Sequence, residues 1–291
     1  MVTHPHDMMG RVHLPVVQAD CSRCFGLCCV LLPFRAASGF GADKEGGVAC
    51  RHLQADDRCE IHATLRDDGW PGCTVFDCFG AGQQVSQVTY AGVSWREQAN
   101  LPEMTAVFSV MRQLHEMVAH LSEADARAPG SGTERLLARF ADLVAATPDE
   151  LLALDVEALR QTVGEVLAET SSRLRRPLGP GPDLAGRDLA GRDLHRRDLR
   201  GATLRGALLV GADLRTDLTL TDLLGADLRD ADVRGADLLE ALFLSQAQVN
   251  AMRGDAATRL PPQRDRPAHW VREQRRRARA GPRCPWRSGC C

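Results

Sequence analysis

From Pro182 to Phe243 the sequence repeats every five residues, a period that no ordinary helix or strand has. The large apolar centres are Leu184, Leu189, Leu194, Leu199, Leu204, Leu209 and Leu214, then Leu218, Leu223, Leu228, Val233, Leu238 and Phe243. Two residues before a centre the side chain is small, as at Ala202, Ala207, Ala212, Thr216, Thr221, Ala226, Ala231, Ala236 and Ala241. A helix would spread such a set around its circumference, and a strand would send it alternately to opposite faces. Neither buries it together. The pattern works if each unit is one short side of a coil, its centre pointing inward and a corner before the next side.

These A-D-L-x-x units resemble the pentapeptide-repeat family. The resemblance implies a right-handed, four-sided β-helix, here of about three coils. Two departures stand out. The step from Leu214 to Leu218 is four residues, so a corner near Arg215 to Thr219 must be irregular. The early units carry Arg187, Arg192 and Arg197 where a small inward residue belongs. An unpaired guanidinium inside a dry core is costly, so those side chains are expected to escape at an open first coil, with full regularity from about Ala202.

A chain of 291 residues suits two or three domains. Lys44 is its single lysine, every other basic residue being Arg, and the net charge of −2 excludes a bulk polyanion or polycation. The first twenty residues lack a signal peptide's basic flank and apolar core, and the run around Cys28 to Phe34 is too short to cross a bilayer. The expectation is a cytoplasmic protein with no membrane partner. Eleven cysteines in a reducing compartment point to metal more than to disulfides.

Eight of them crowd into one stretch: Cys21, Cys24, Cys28, Cys29, Cys50, Cys59, Cys73 and Cys78. On one helix Cys21, Cys24 and Cys28 would share a face, with Cys29 off to the side. His62, three residues after Cys59, is a possible nitrogen ligand, whereas His52 reads as an ordinary polar side chain. Thiolate-rich sites select zinc or an iron-sulfur cluster, and eight sulfurs suit two four-coordinate centres or one centre with bystanders. The run C-S-R-C-F-G-L-C-C, with later cysteines in C-E-I-H and G-C-T-V-F-D-C-F-G-A-G-Q, resembles a zinc- or iron-chelating cysteine-cluster family over roughly residues 18 to 90. Phe79 to Gln83 lacks the endings of a phosphate loop and reads as a tight turn after the last ligand.

The remaining segments follow from periodicity. Residues 1–17, with His4, His6 and His13, read as a flexible leader, and 18–95 as the metal-binding module. Residues 96–175 read as helical, with cores such as Val107, Met111, Leu114 and Val118, buried or surface histidines at His115 and His120, and capping residues at Ser131, Thr147 and Asp155. Proline and glycine at 176–182 mark a linker. The repeat with a capping helix after Ser245 fills 183–253, and 254–291 reads as a disordered basic tail with nine Arg against two acids from Arg264 onward, and with Cys284, Cys290 and Cys291. The expected fold class is a multidomain α+β chain: cysteine-rich module, helical middle and short β-helix.

Three functions suit these parts. The first is a non-catalytic adaptor, holding zinc or iron and presenting the repeat to a protein partner, the basic tail offering a contact to acidic protein or nucleic acid. The second is a redox sensor or enzyme centred on the cysteines, with Glu60 or Asp77 as base. The third is a DNA mimic acting on gyrase or topoisomerase, as in fluoroquinolone resistance. Twelve acids against nine Arg over residues 182–243 leave only three negative charges, which argues against the last.

Overall fold

The computed structural model describes residues 13–97, 100–130, 132–179 and 181–271. The chain divides into two compact units, Met1–Leu174 and Arg175–Cys291. His4, His6 and Ser131 lie outside the described residues, as do residues 272–291 with Cys284, Cys290 and Cys291.

In the first unit the regular elements are helical. The short helices α1 (Leu27–Leu31), α2 (Pro71–Thr74) and α3 (Ala81–Gln84) carry or adjoin cysteines. Of these, α1 and α3 pack against α4 (Leu101–Arg127), which also packs against α5 (Thr133–Val144) and α6 (Pro148–Leu152), followed by α7 (Val156–Arg175). Helix α4 is central because its stripe Met104, Val107, Phe108, Met111, Leu114, His115 and Val118 recurs at three and four residues and is wholly buried. Both histidines on it are buried. Caps at the later helices follow the sequence: Thr147 and Glu150 form a reciprocal capping box, and Asp155 accepts from the N–H of Ala158 at 2.9 Å. The N-cap of α5 is Gly132, in the left-handed region.

The expected α+β class with a four-sided β-helix is corrected by the second unit. Among the described residues there is no β-strand and no sheet. The repeat makes isolated parallel bridges, one per five-residue unit: Asp183 with Thr203, Asp188 with Leu208, Asp193 with Asp213. The physical reason lies in the repeat. Each unit spends its residues on a turn, closed for example by Ala207 N–H to Leu204 O at 3.0 Å with Gly206 at φ +60°. A single residue per unit is then left to form a bridge, although the turn glycine also bonds to the next coil, as Gly206 N–H does to Leu224 O at 2.9 Å, and a strand needs consecutive bridges.

Offsets between bridged residues locate the irregular step. Within the repeat they are twenty before it and after it, as in Asp183 with Thr203 and Asp222 with Leu242, and nineteen across it, as in Leu208 with Asp227; they lengthen only where the repeat meets the cap, at Asp232 with Arg253 and Asp237 with Arg259. The lost residue sits where Thr216 N–H bonds Leu214 O at 2.7 Å in place of a full turn. Leu184 and Leu189 are only partly buried, whereas the centres from Leu194 onward are buried with Ala202, Ala207 and Ala212 between them. Arg187, Arg192 and Arg197 are exposed. After Phe243, Ser245 caps α8 (Gln246–Ala251) with a capping box to Gln248. The stretch 254–271, read as the start of a disordered tail, is instead packed: Arg259 bridges Asp237, and Trp270 is 1% exposed, its indole N–H donating to Met252 O.

Candidate metal centre

Cys21–Arg23 forms a 3-10 turn, and α1 begins only at Leu27, after Gly26 at φ +65°. Cys21, Cys24 and Cys28 therefore do not share the face of one helix, as the spacing predicts. The glycine turn folds the chain back instead, and all three line one small cavity of about 20 Å³ with Cys78, Asp20, Gly82, Gln83 and Phe108. Cys78 comes from the turn before α3, far along the chain. Phe79 and Gly80 hold that turn in the left-handed region. A side chain at Gly80 would meet Val16 O at 2.1 Å, and one at Gly82 would meet Cys24 Sγ at 2.7 Å and Cys78 Sγ at 3.8 Å. Gln83 pins the chain opposite, accepting from Asp20 N–H at 2.8 Å and donating to Gln18 O at 2.9 Å.

A second set forms around Trp70. Cys50 is buried with Phe34 and Trp70, and Cys29 and Cys73 pack against them. Cys50 N–H donates to Cys29 O at 2.9 Å, and the bridge between Leu53 and Cys59 returns Cys59 to the same neighbourhood. The two sets meet at adjacent residues, since the sulfurs of Cys28 and Cys29 lie 4.0 Å apart. Lys44 flanks the second set. Its Nζ donates to the carbonyls of Val30, Leu32, Glu45 and Val48 at 2.6 to 3.1 Å and lies 4.6 Å from the Phe34 ring centre.

Burial dominates the electrostatics. It pushes the thiols of Cys21 and Cys24 up to about 11 and that of Cys73 up to about 12, with neighbouring cysteines adding to the rise. Cys28 is raised first by its bond to Cys29 and then by burial, and Cys29 is lowered by the same bond, with Lys44 also favouring its thiolate. Against the general rise stand donors aimed at sulfur. Backbone N–H groups of Gly82 and Gly80 serve Cys78, that of Leu27 and the Ser86 hydroxyl serve Cys24, and those of His52 and Ile61 serve Cys50 and Cys59. Ser86 sits on a π-helical turn, Val85–Thr89, and its oxygen accepts from Phe25 N–H at 3.0 Å, which leaves its proton for Cys24.

A thiol is a weak acceptor and a thiolate a strong one, so this arrangement suits sulfurs held ionised by a cation. The donor set fits a soft or borderline metal.

The structure does not bring every predicted ligand in. His62 is exposed, and its backbone N–H donates to Cys59 O at 3.3 Å. Glu60 accepts from His52 at 2.7 Å and from Gln54 at 2.9 Å, and Asp77 accepts from Phe79 N–H at 2.7 Å, so both carboxylates have structural bonds. Sequence reasoning missed Gly80, Gly82, Gln83, Ser86 and Lys44. The double glycine of F-G-A-G-Q and the solitary lysine were the available signals. Among the described residues, three ligand atoms lie within 4.8 Å of one another only at Asp193, His195 and Asp213. No three sulfurs of the described cysteines are that close. Asp213 already pairs with Arg215.

Residues 183–215 and 198–238 match the family model described as pentapeptide repeats, in eight copies. The chain is similar to the uncharacterized protein YybG of Bacillus subtilis (strain 168), 52% identical over 270 residues that cover 87% of this chain and 95% of the relative. A solved structure of a pentapeptide repeat protein from the Arabidopsis thaliana thylakoid lumen is 29% identical over 31% of this chain and 61% of its own, with a TM-score of 0.16.

Proposed function

The chain belongs to the pentapeptide-repeat family, and on that premise we propose that it is a metal-binding adaptor whose repeat offers a surface to a protein partner. The observation that carries the metal half is the convergence of Cys21, Cys24, Cys28 and Cys78 on one cavity, with Cys29, Cys50 and Cys73 packed together and Cys29 Sγ 4.0 Å from Cys28 Sγ. Cys21, Cys24, Cys28 and Cys78 would hold one ion or cluster, and Cys29, Cys50, Cys59 and Cys73 another. A bound cation supplies the positive charge that lets buried thiols ionise, and with it a crosslink between segments far apart in sequence. Gly80 and Gly82 let backbone approach the sulfurs, Ser86 orients Cys24, and Lys44 favours the charged form of Cys29.

The repeat half is supported by the way its acids are used. Asp183, Asp188, Asp198, Asp213, Asp227 and Asp232 each accept from the N–H two residues on, which caps a turn. Asp198, Asp213, Asp227 and Asp232 also pair with Arg200, Arg215, Arg229 and Arg234. Charges spent on turns and neutralised locally make a poor copy of a phosphate backbone, which counts against a DNA mimic and favours a protein-facing surface. No described helix is long and apolar enough to cross a membrane.

The test is elemental analysis of the full chain purified without oxygen, with and without exposure to a chelator. Metal bound in proportion to protein, and removed together with the fold of the cysteine-rich segment, is the expected result. A folded, metal-free protein overturns the metal half of the reading.

A further inference from the structure

The first coil of the repeat has a backbone edge with nothing bonded to it. In the second coil, Thr203, Leu208 and Asp213 donate N–H backwards to the carbonyls of Pro182, Arg187 and Arg192 at 2.9 to 3.0 Å. Their own carbonyls accept from Leu184, Leu189 and Leu194, and those of Arg205 and Val210 accept from Gly186 and Gly191 at 2.8 Å. Asp183, Asp188 and Asp193 hold the same positions one coil earlier, as their bridges to Thr203, Leu208 and Asp213 show. Among the described residues, no group bonds the N–H or the carbonyl of any of these three, or the carbonyls of Ala185 and Ala190. All five residues are exposed. The entering chain meets the fourth side alone, where a side chain at Gly181 would touch Gly201 O at 2.4 Å. The other end of the repeat is closed, since Arg253 and Arg259 bridge Asp232 and Asp237. An open edge of this kind is a template for another chain.

The groups on the edge select its occupant. Five carbonyls stand against three N–H groups, so the occupant must donate as well as accept. A peptide backbone does both, and a phosphodiester only accepts. Arg187, Arg192 and Arg197 border the edge, exposed and without a carboxylate partner among the described residues. The acids beside them are engaged: Asp183 and Asp188 cap turns, Asp193 holds His195, and Asp198 holds Arg200. Residues 183–201 contain five Arg and four acids, whereas 202–243 contain four Arg and eight acids, so the open end is the positive end. A second copy would set the same arginines against these. The chain's own ends are no better matched, because residues 1–12 contain one acid, Asp7, and residues 272–291 are basic.

On the reading of the repeat as a protein-binding surface, we propose that the open first coil docks an extended acidic segment of a partner protein. The segment's backbone pairs with Asp183, Asp188 and Asp193, and its carboxylates meet Arg187, Arg192 and Arg197.

The experiment uses the full chain and a synthetic peptide alternating Glu with Thr, beside a control with Lys in place of Glu, and hydrogen exchange is the readout. With the acidic peptide, the amides of Asp188 and Asp193 should exchange about tenfold more slowly, and added salt should weaken the effect. The Lys peptide should leave them unchanged. In a variant carrying Arg187→Glu, Arg192→Glu and Arg197→Glu the preference should reverse, with unaltered protection at Leu189 and Leu194 showing that the coil is still folded. Protection by both peptides alike, or by a single-stranded DNA oligomer more than by the acidic peptide, overturns the proposal. So does protection that rises with protein concentration in the absence of peptide, which would place a second copy on the edge. Protection confined to later coils overturns the edge as the site and leaves the adaptor reading standing. Binding of neither peptide overturns the proposal together with the adaptor reading of this end of the repeat.

Discussion

His115 shows how a buried side chain can hold the turn that carries Cys78. It is fully buried on α4, and its Nδ1 donates to Phe79 O at 2.7 Å, next to Cys78. Nδ1 must carry the proton because a carbonyl only accepts, so Nε2 keeps a lone pair, which is buried without a partner. Phe79 sits at φ +51°, a conformation that glycine takes more readily, and the histidine bond helps fix it there. Burial holds the imidazole pKa down to about 4, against an ordinary value of 6.5. Between those values the unfolded chain binds a proton that the folded chain does not, so stability rises with pH through that window and is lost as pH falls through it. From pH 7.5 to pH 5 the loss from this group should be about 2 kcal/mol. Asn at position 115 keeps a donor for Phe79 O and cannot titrate. Urea unfolding at both pH values, followed by helical circular dichroism, should therefore show a smaller drop for His115→Asn than for the wild type. Equal drops would mean that His115 does not carry the acid sensitivity.

The repeat illustrates what a local pattern can and cannot reveal. Its buried centres, the irregular step after Leu214 and the escape of Arg187, Arg192 and Arg197 are legible because each depends on residues within a few positions. The missing sheet is not legible. The family resemblance names a wall of strands, whereas bridging here is confined to one residue per unit by the turn that follows it. Burial along the repeat sets the cost of truncation. Leu223 is fully buried, so Leu223→Ala should cost about 2 to 5 kcal/mol. Leu184 is only partly buried at the first unit, and Leu184→Ala should cost clearly less. Chemical unfolding of the two variants, read by hydrogen exchange over residues 183–260, checks the gradient. Similar costs would place Leu184 in the same dry core and contradict the open first units. The cysteine sets show the opposite limit. Spacing alone joins Cys21, Cys24 and Cys28 and sets Cys29 to the side, but the fourth member, Cys78, depends on a chain reversal through Phe79 and Gly80, and the start of α1 only at Leu27 depends on the break at Gly26. Neither is written in a local period.

The two units differ in what stabilises them, and that difference is testable in the intact protein. The first, Met1–Leu174, contains the eight cysteines of both sets, and its cysteine-rich stretch has only short helices. On the proposed metal-binding reading, a segment like that gains much of its stability from the ion, because binding that requires the folded arrangement of ligands stabilises the fold by mass action. The second unit is held by a continuous row of buried Leu and Ala, closed at one end by Val249, Met252 and Trp270, and none of its described residues is a cysteine. Each fully buried Leu contributes about 1.5 to 3 kcal/mol without help from an ion. Chelation should therefore act on one unit and spare the other. Hydrogen exchange on the intact chain, before and after treatment with a strong chelator under reducing conditions, should show protection falling by about tenfold or more at amides between Cys21 and Ser94. Protection of amides such as those of Leu204, Leu209 and Leu223 should be unchanged, since their bonds to Asp222, Asp227 and Leu242 belong to the repeat alone. Loss of protection in both places would tie the repeat's stability to the metal and overturn the separation of the two energetic sources.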